Sequence, residues 1–218
     1  MRIKFVLYDF DGTLADTREL IVAVKQETMQ RLGLTVESEE VCASTIGLPL
    51  KESFIATYPS FSDDKINECV AAYRAVFNEM KNEKPPVLFP GVKKVLSEIK
   101  ELNITQTIAS SRNTDSLNDL LAKMDIAGYF PYVLGGSDTL LNKPHPEPVL
   151  KTLKDLSAAA EETLVVGDMP YDIEMGKRAG VYTCGVTYGN SDRGSLSAAG
   201  ADIIIDNITE LPDIIRKF

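Results

Sequence analysis

The chain reads as a doubly wound α/β fold, a parallel sheet carrying an inserted α-helical segment directly after its first strand. Three observations predict this. An apolar strand, Ile3 to Tyr8, runs straight into two acids and a glycine turn, Asp9-Phe10-Asp11-Gly12-Thr13-Leu14. From Pro90-Gly91 onward, strands alternate with helices, the pattern of a parallel sheet with right-handed crossovers. Between these regions, from about Asp16 to Pro86, helical spacing recurs and no strand pattern does.

The elements follow in order. Asp16-Thr17 can cap a helix that continues through Leu20, Ile21, Val24, Met29 and Leu32 and stops at Gly33. Short helices are expected at 37–43 and at Lys51 to Tyr58, separated by the loop Thr45 to Pro49. Ser62 caps a longer helix with Ile66, Val70, Tyr73, Phe77 and Met80 on one face. Residues 82–86 are polar and proline-bearing, a linker. Beyond it come helices at Val92 to Leu102, Asp115 to Lys123, from near Glu147, and Tyr171 to Ala179. They alternate with strands at Thr105 to Ala109, Tyr132 to Leu134, Thr163 to Val166 and Val181 to Val186. A last short helix precedes Asp202-Ile203-Ile204-Ile205, and Glu210 to Arg216 closes the chain as a helix.

Composition sets outer bounds. With 218 residues the chain can bury a sizeable core, and 44% hydrophobic with 25% charged residues is ordinary for a globular protein. A net charge of −9 argues against a nucleic-acid surface, which needs a basic patch. No apolar run is long enough to span a bilayer, and Lys4 and Asp9 interrupt the only apolar stretch near the start, so a cytoplasmic location is expected. Cys42, Cys69 and Cys184 are too widely spaced for a metal pair or a disulfide framework. His145 is the only histidine and has no partner at triad spacing, which argues against a Ser-His-Asp hydrolase.

Chemistry concentrates where strands end. Asp9 and Asp11, Ser110, Lys143, and Asp168 with Asp172 each lie at the carboxyl end of an expected strand or in the loop after it. Open parallel sheets place ligands there, so segments scattered in sequence converge in space. Two acids as close as Asp9 and Asp11 repel each other when ionised, and a divalent cation with oxygen ligands offsets that repulsion.

Four of these segments match a known pattern. Asp9-Phe10-Asp11-Gly12-Thr13-Leu14 resembles the first signature of the haloacid dehalogenase superfamily. Ile108-Ala109-Ser110-Ser111 resembles its second, Lys143-Pro144-His145-Pro146-Glu147-Pro148 its third, and Val165-Val166-Gly167-Asp168-Met169-Pro170-Tyr171-Asp172 its fourth. All four occur in order across essentially the whole chain. The resemblance implies that Asp9 is the nucleophile, attacking phosphorus to give an aspartyl-phosphate. It implies that Asp11 is a general acid, then a general base for water. Ser110 would donate to a phosphoryl oxygen and Lys143 would balance charge. Mg²⁺ would be held by Asp9, Asp168 and the Asp11 backbone carbonyl. Asp172 is either a ligand through water or a helix N-terminal acid favoured by the macrodipole. Ser111 and Arg112 are candidate substrate contacts, although Arg112 could equally sit in solvent.

Residues 1–15 and 87–218 would then form the catalytic core, and 16–86 a helical cap that sets specificity. A cap at this place resembles those of phosphoglycolate phosphatases, pyrophosphatases, β-phosphoglucomutases and haloacid dehalogenases. Dehalogenases generally lack the second aspartate, and Asp11 is present. The mutases typically carry a histidine ten positions beyond it, where this chain has Ile21. Phosphonatases use a cap lysine as a Schiff base, and neither Lys25 nor Lys51 stands in an apolar setting that clearly lowers its pKa. Lys143 to Pro148 and Gly176 to Val181 look most like phosphoglycolate-phosphatase-type enzymes. The loop Gly47-Leu48-Pro49-Leu50-Lys51 is either the substrate-facing segment, with Lys51 holding a second anionic group, or a plain connector. The expectation is a Mg²⁺-dependent phosphatase acting on a small phosphorylated metabolite, as a monomer or homodimer, with no nucleic acid or membrane partner. A phosphomutase and a non-catalytic regulator on the same scaffold are the alternatives.

Overall fold

The structure, a computed structural model, describes residues 3–83 and 85–218; residue 84 of the expected linker lies outside them. Six strands form one parallel sheet. They are β1 (Phe5–Tyr8), β4 (Thr105–Ala109), β5 (Tyr132–Leu134), β6 (Thr163–Gly167), β7 (Tyr182–Val186) and β8 (Ile203–Ile205). Their order is β5-β4-β1-β6-β7-β8. The chain first builds outward from β1 on one side, through β4 to β5, and then crosses back to build β6, β7 and β8 on the other. The reversal of direction falls between β1 and β6, where such sheets open a crevice beyond their strand ends. In register, Tyr8 lies level with Ile108 on one side and Val166 on the other. The next residues out, Asp9, Ala109 and Gly167, therefore mark the rim of that crevice.

The strands are apolar on both faces because helices cover both faces. Val6 and Tyr8 pack with Leu96 and Ile99 of α5 (Val92–Glu101), Leu117 and Leu121 of α6 (Thr114–Lys123) and Ile215 of α10 (Leu211–Lys217). Leu7 points the other way, toward Val149 of α7 (Glu147–Asp155) and Met175 of α8 (Pro170–Ala179). The short α9 (Arg193–Ala198) sits beside β7 and β8.

The segment between β1 and α5 is helical, with one exception. Its helices are α1 (Arg18–Arg31), α2 (Glu39–Ala43), α3 (Leu50–Thr57) and α4 (Asp63–Met80). The exception corrects the expectation of no strand there. Ala15–Asp16 (β2) and Val87–Leu88 (β3) pair antiparallel where the chain leaves and re-enters the sheet region. Two-residue strands carry too short a pattern to read from sequence. Asp16 is thus a strand residue and not a helix cap, and Thr17 precedes α1 without a side-chain capping bond. Ser62 does cap α4 as expected, its Oγ accepting from the Lys65 N–H at 3.3 Å. The helices bury a second apolar cluster that includes Val22, Met29, Phe54 and Ile66. Leu20, Val24, Val76 and Phe77 instead join the main cluster against the sheet. Among the described residues, no helix is long and apolar enough to cross a membrane.

Candidate active site

The strand ends deliver their side chains into one place. Asp9 follows β1 directly, and its N–H donates to the Val166 carbonyl at 2.9 Å, which continues the ladder one step past the strand. Gly12 then turns the chain with φ +86°, and a Cβ there would stand 2.3 Å from an Asp168 oxygen and from Asn190 Nδ2. Glycine is needed at this position for both reasons. Tight packing here brings the first and fourth motifs together.

Lys143 is buried between two carboxylates. Its Nζ lies 2.6 Å from Asp9 Oδ1 and 2.7 Å from Asp172 Oδ1. The other Asp172 oxygen accepts from the Met169 N–H at 3.0 Å, at the start of α8. Both oxygens of Asp172 are therefore engaged by protein groups. The helix N-terminal reading holds, joined by a contact that sequence reasoning did not assign, the ion pair with Lys143. Asp168 is held by other residues. Thr13 Oγ1 donates to its Oδ1 at 3.1 Å, and the Asn190 N–H and Nδ2 donate to its Oδ2 at 2.7 and 2.9 Å.

Charge is unbalanced here. Asp9, Asp168 and Asp172 each offer an oxygen, and these atoms lie within 4.8 Å of one another. Burial pushes the Asp9 carboxyl well up, Lys143 pulls it back, and Asp172, Asp168 and Asp11 push it up again. Asp168 is raised to about 7, first by burial and then by Asp172, against the donors from Asn190 and Thr13. Lys143 is raised: burial opposes its charge, and Asp172 and Asp9 outweigh burial. Asp9 Oδ2 is buried with no hydrogen-bond partner among the described residues. An orphaned carboxylate oxygen among excess acids is what a hard divalent cation fits. The residues present therefore suit the divalent cation that the resemblance implies.

A cavity of about 470 Å³ opens over this floor. Asp9, Asp11, Ser110 and Arg112 line it from the sheet side, and Lys25, Thr45, Phe77 and the loop 46–50 from the helical side. Ser110 accepts from the Arg112 N–H at 3.2 Å, and its own hydroxyl proton has no acceptor among the described residues.

Asp11 stands beyond β1, which ends at Tyr8, and bridges to Ala15 within the turn. Three expectations change. Arg112 does not sit in solvent: it lines the cavity with its guanidinium engaged. Its Nε and Nη2 donate to the two Asp11 oxygens at 2.9 and 2.6 Å. The Ser111 hydroxyl is also occupied, donating to the Gly47 carbonyl at 2.6 Å and tying the second motif to the helical loop. Lys25 is fully buried against Phe54, and burial lowers it to about 8. Its Nζ donates to Thr45 Oγ1 and, at 3.4 Å, to the Cys42 carbonyl. Beyond the apolar run Ile21 to Val24 that precedes it, the groups that enclose the amine, Thr45 and Phe54, come from later parts of the chain. Lys51 lines the cavity while pairing with Asp63 at 3.3 Å. Thr13 and Asn190 were missed, although Asn190 follows β7 at its carboxyl end and the strand-end rule points to it.

Comparison with known proteins agrees with this geometry. Residues 6–186 match the family model for haloacid dehalogenase-like hydrolases. The probable phosphatase IndB of Dickeya dadantii is 35% identical over 209 residues, covering 94% of this chain and 90% of that protein. The pyrophosphatase PpaX of Oceanobacillus iheyensis is 31% identical, covering 99% of this chain and 98% of that one. The phosphoglycolate phosphatase of Salmonella typhimurium is 31% identical, covering 96% and 91%. The crystal structure of a predicted phosphatase from Clostridium acetobutylicum superposes with a TM-score of 0.90 at 26% identity over 100% of both chains. A sheet with its reversal at Asp9 and Asp168, the four motifs gathered there, and a match over most of the length place this chain in the haloacid dehalogenase-like hydrolase family.

Proposed function

We propose that this hydrolase is a Mg²⁺-dependent phosphatase of small phosphomonoesters, similar to phosphoglycolate phosphatases, and that it works through an aspartyl-phosphate on Asp9. The observation that carries the reading is the state of Asp9. One oxygen is fixed by Lys143, and the other is buried and unpartnered beneath a cavity of small-metabolite size. Such an atom is costly unless a ligand completes its environment.

In this reading Asp9 attacks phosphorus while the leaving oxygen takes a proton from Asp11. Asp11 then takes a proton from the water that cleaves the acyl phosphate, releasing inorganic phosphate. Ser110 donates its hydroxyl to a phosphoryl oxygen, and Lys143 holds Asp9 in place and offsets its charge. Asp9, Asp168 and the Asp11 carbonyl would hold Mg²⁺. Asp172 would act by orienting Lys143. When bound, the metal supplies positive charge that neutralises the phosphoryl oxygens and the surrounding acids. The helical segment 16–86 would serve as the cap, selecting the leaving group and limiting water at the site.

The test is hydrolysis of phenyl phosphate with and without Mg²⁺, in the wild type and in Asp9→Asn. Metal-dependent turnover that disappears in the variant is expected. Turnover retained by Asp9→Asn would overturn the nucleophile assignment.

A further inference from the structure

We infer that Arg112 is a specificity-determining switch: it clamps Asp11 until a second anionic group on the substrate takes its guanidinium. The inference rests on the phosphatase reading above and concerns which phosphomonoesters that site accepts.

The guanidinium lies where three parts of the molecule meet. Two of its nitrogens form a fork-to-fork pair with Asp11, and the third, Nη1, donates to Ser116 Oγ at 3.2 Å. Its Cζ stands 4.9 Å from the centre of the Phe77 ring, on α4 of the helical segment. Arg112, Asp11 and Phe77 all border the same cavity. A bidentate pair fixes the plane of the carboxylate as well as its position. While it lasts, Asp11 cannot turn toward a leaving-group oxygen above Asp9. The proposed proton transfer requires that turn.

The geometry that blocks Asp11 also indicates what frees it. A guanidinium fork recognises a planar carboxylate or a phosphate equally well. A leaving group that carries either one offers Arg112 a replacement for Asp11 at the cavity wall. Arg112 then changes from a clamp into a substrate ligand, and Asp11 is released toward the leaving oxygen. Phe77 keeps the guanidinium in the cavity during the exchange. A leaving group with no charge offers no replacement, so its ester meets a clamped Asp11. Selectivity thus comes from what the substrate displaces as well as from what it touches.

The experiment compares 2-phosphoglycolate, inorganic pyrophosphate and ethyl phosphate as substrates for the wild type, Arg112→Met and Arg112→Lys. Ethyl phosphate has the same two-carbon chain as phosphoglycolate but a methyl group in place of its carboxylate. The wild type is expected to favour at least one anionic substrate over ethyl phosphate by about tenfold or more in kcat/KM. Arg112→Met should erase that preference from both sides, raising KM for the anionic substrate and raising kcat for ethyl phosphate. Arg112→Lys keeps the charge without the fork and should fall between them, which also provides a reading if the Met variant folds poorly. Whether phosphoglycolate or pyrophosphate shows the larger wild-type preference identifies carboxylate or phosphate as the displacing group. An equal loss on all three substrates would reduce Arg112 to a positioning residue for Asp11 and overturn the switch. A preference that is absent from the wild type, or that survives in both variants, would overturn it too. A wild type that hydrolyses none of the three, nor phenyl phosphate, would overturn the phosphatase reading itself.

Discussion

Two lysines among the described residues are almost wholly buried, and they are held in opposite ways. Lys143, below the cavity floor, touches two carboxylates and is pushed up. Lys25, above the cavity, meets a hydroxyl, a backbone carbonyl and an aromatic ring, and is pushed down to about 8. Burial opposes the charge at both places, and only Lys143 has acids that outweigh it. The floor therefore holds a fixed positive charge among excess negative ones, as a site that receives phosphate and metal requires. The roof holds a lysine that can lose its charge within a mildly alkaline range. Its amine braces the start of the loop 45–49, whose Gly47 carbonyl meets Ser111 of the floor. Identical side chains thus carry different work, and neighbouring groups decide which.

The largest expected effect is at the floor. Asp9→Asn should lower turnover on the order of 10⁴-fold or more while leaving the fold intact, checked by steady-state rates beside circular dichroism. Lys143→Met comes next. It leaves Asp9 and Asp172 buried without their shared cation, so stability should fall by about 3–5 kcal/mol in denaturant melts, and activity should fall with it. Asp168→Asn should abolish metal response. Saturating Mg²⁺ should stabilise the wild type by about 2–3 kcal/mol at a hundredfold excess over its dissociation constant, and leave the variant unmoved.

The same Lys→Met change at the roof should do something quite different. Lys25→Met removes a buried charge that no acid offsets, so stability near neutral pH should hold or rise. Its pH dependence sharpens the point. In the unfolded chain the amine keeps its proton up to about 10.5, and in the folded chain only to about 8. Between those values the unfolded state binds more protons, so wild-type stability should rise with pH relative to the variant. The gain across the window is at most about 3 kcal/mol. Parallel stability curves for the two proteins from pH 7 to 10 would contradict the account of Lys25.

What was legible in the sequence follows the same division. The floor is built from short motifs at strand ends, and each motif carries its chemistry within a few residues. That Asp9, Asp11, Ser110, Lys143, Asp168 and Asp172 converge at the strand ends is therefore readable from the amino-acid sequence alone, as is every strand of the main sheet. The roof is built from helices whose contacts cross long stretches of chain. Lys25 is buried by Phe54, and its partner Thr45 lies 20 residues away. The floor has contacts of this kind as well: the Arg112 pair with Asp11 spans 101 residues and the Asn190 bond to Asp168 spans 22. No local pattern encodes such distances. The β2–β3 ribbon escaped for the opposite reason, being too short to show alternation.

The central claim is that Asp9 becomes covalently phosphorylated. Acid quenching during turnover of 2-phosphoglycolate or phenyl phosphate with Mg²⁺, followed by peptide mass spectrometry, tests it most directly. The expected result is the added mass of one phosphoryl group on the peptide containing Asp9, absent from Asp9→Asn and from enzyme without substrate. A phosphoryl group on another residue, or steady turnover with none on the protein at any quench time, would contradict it.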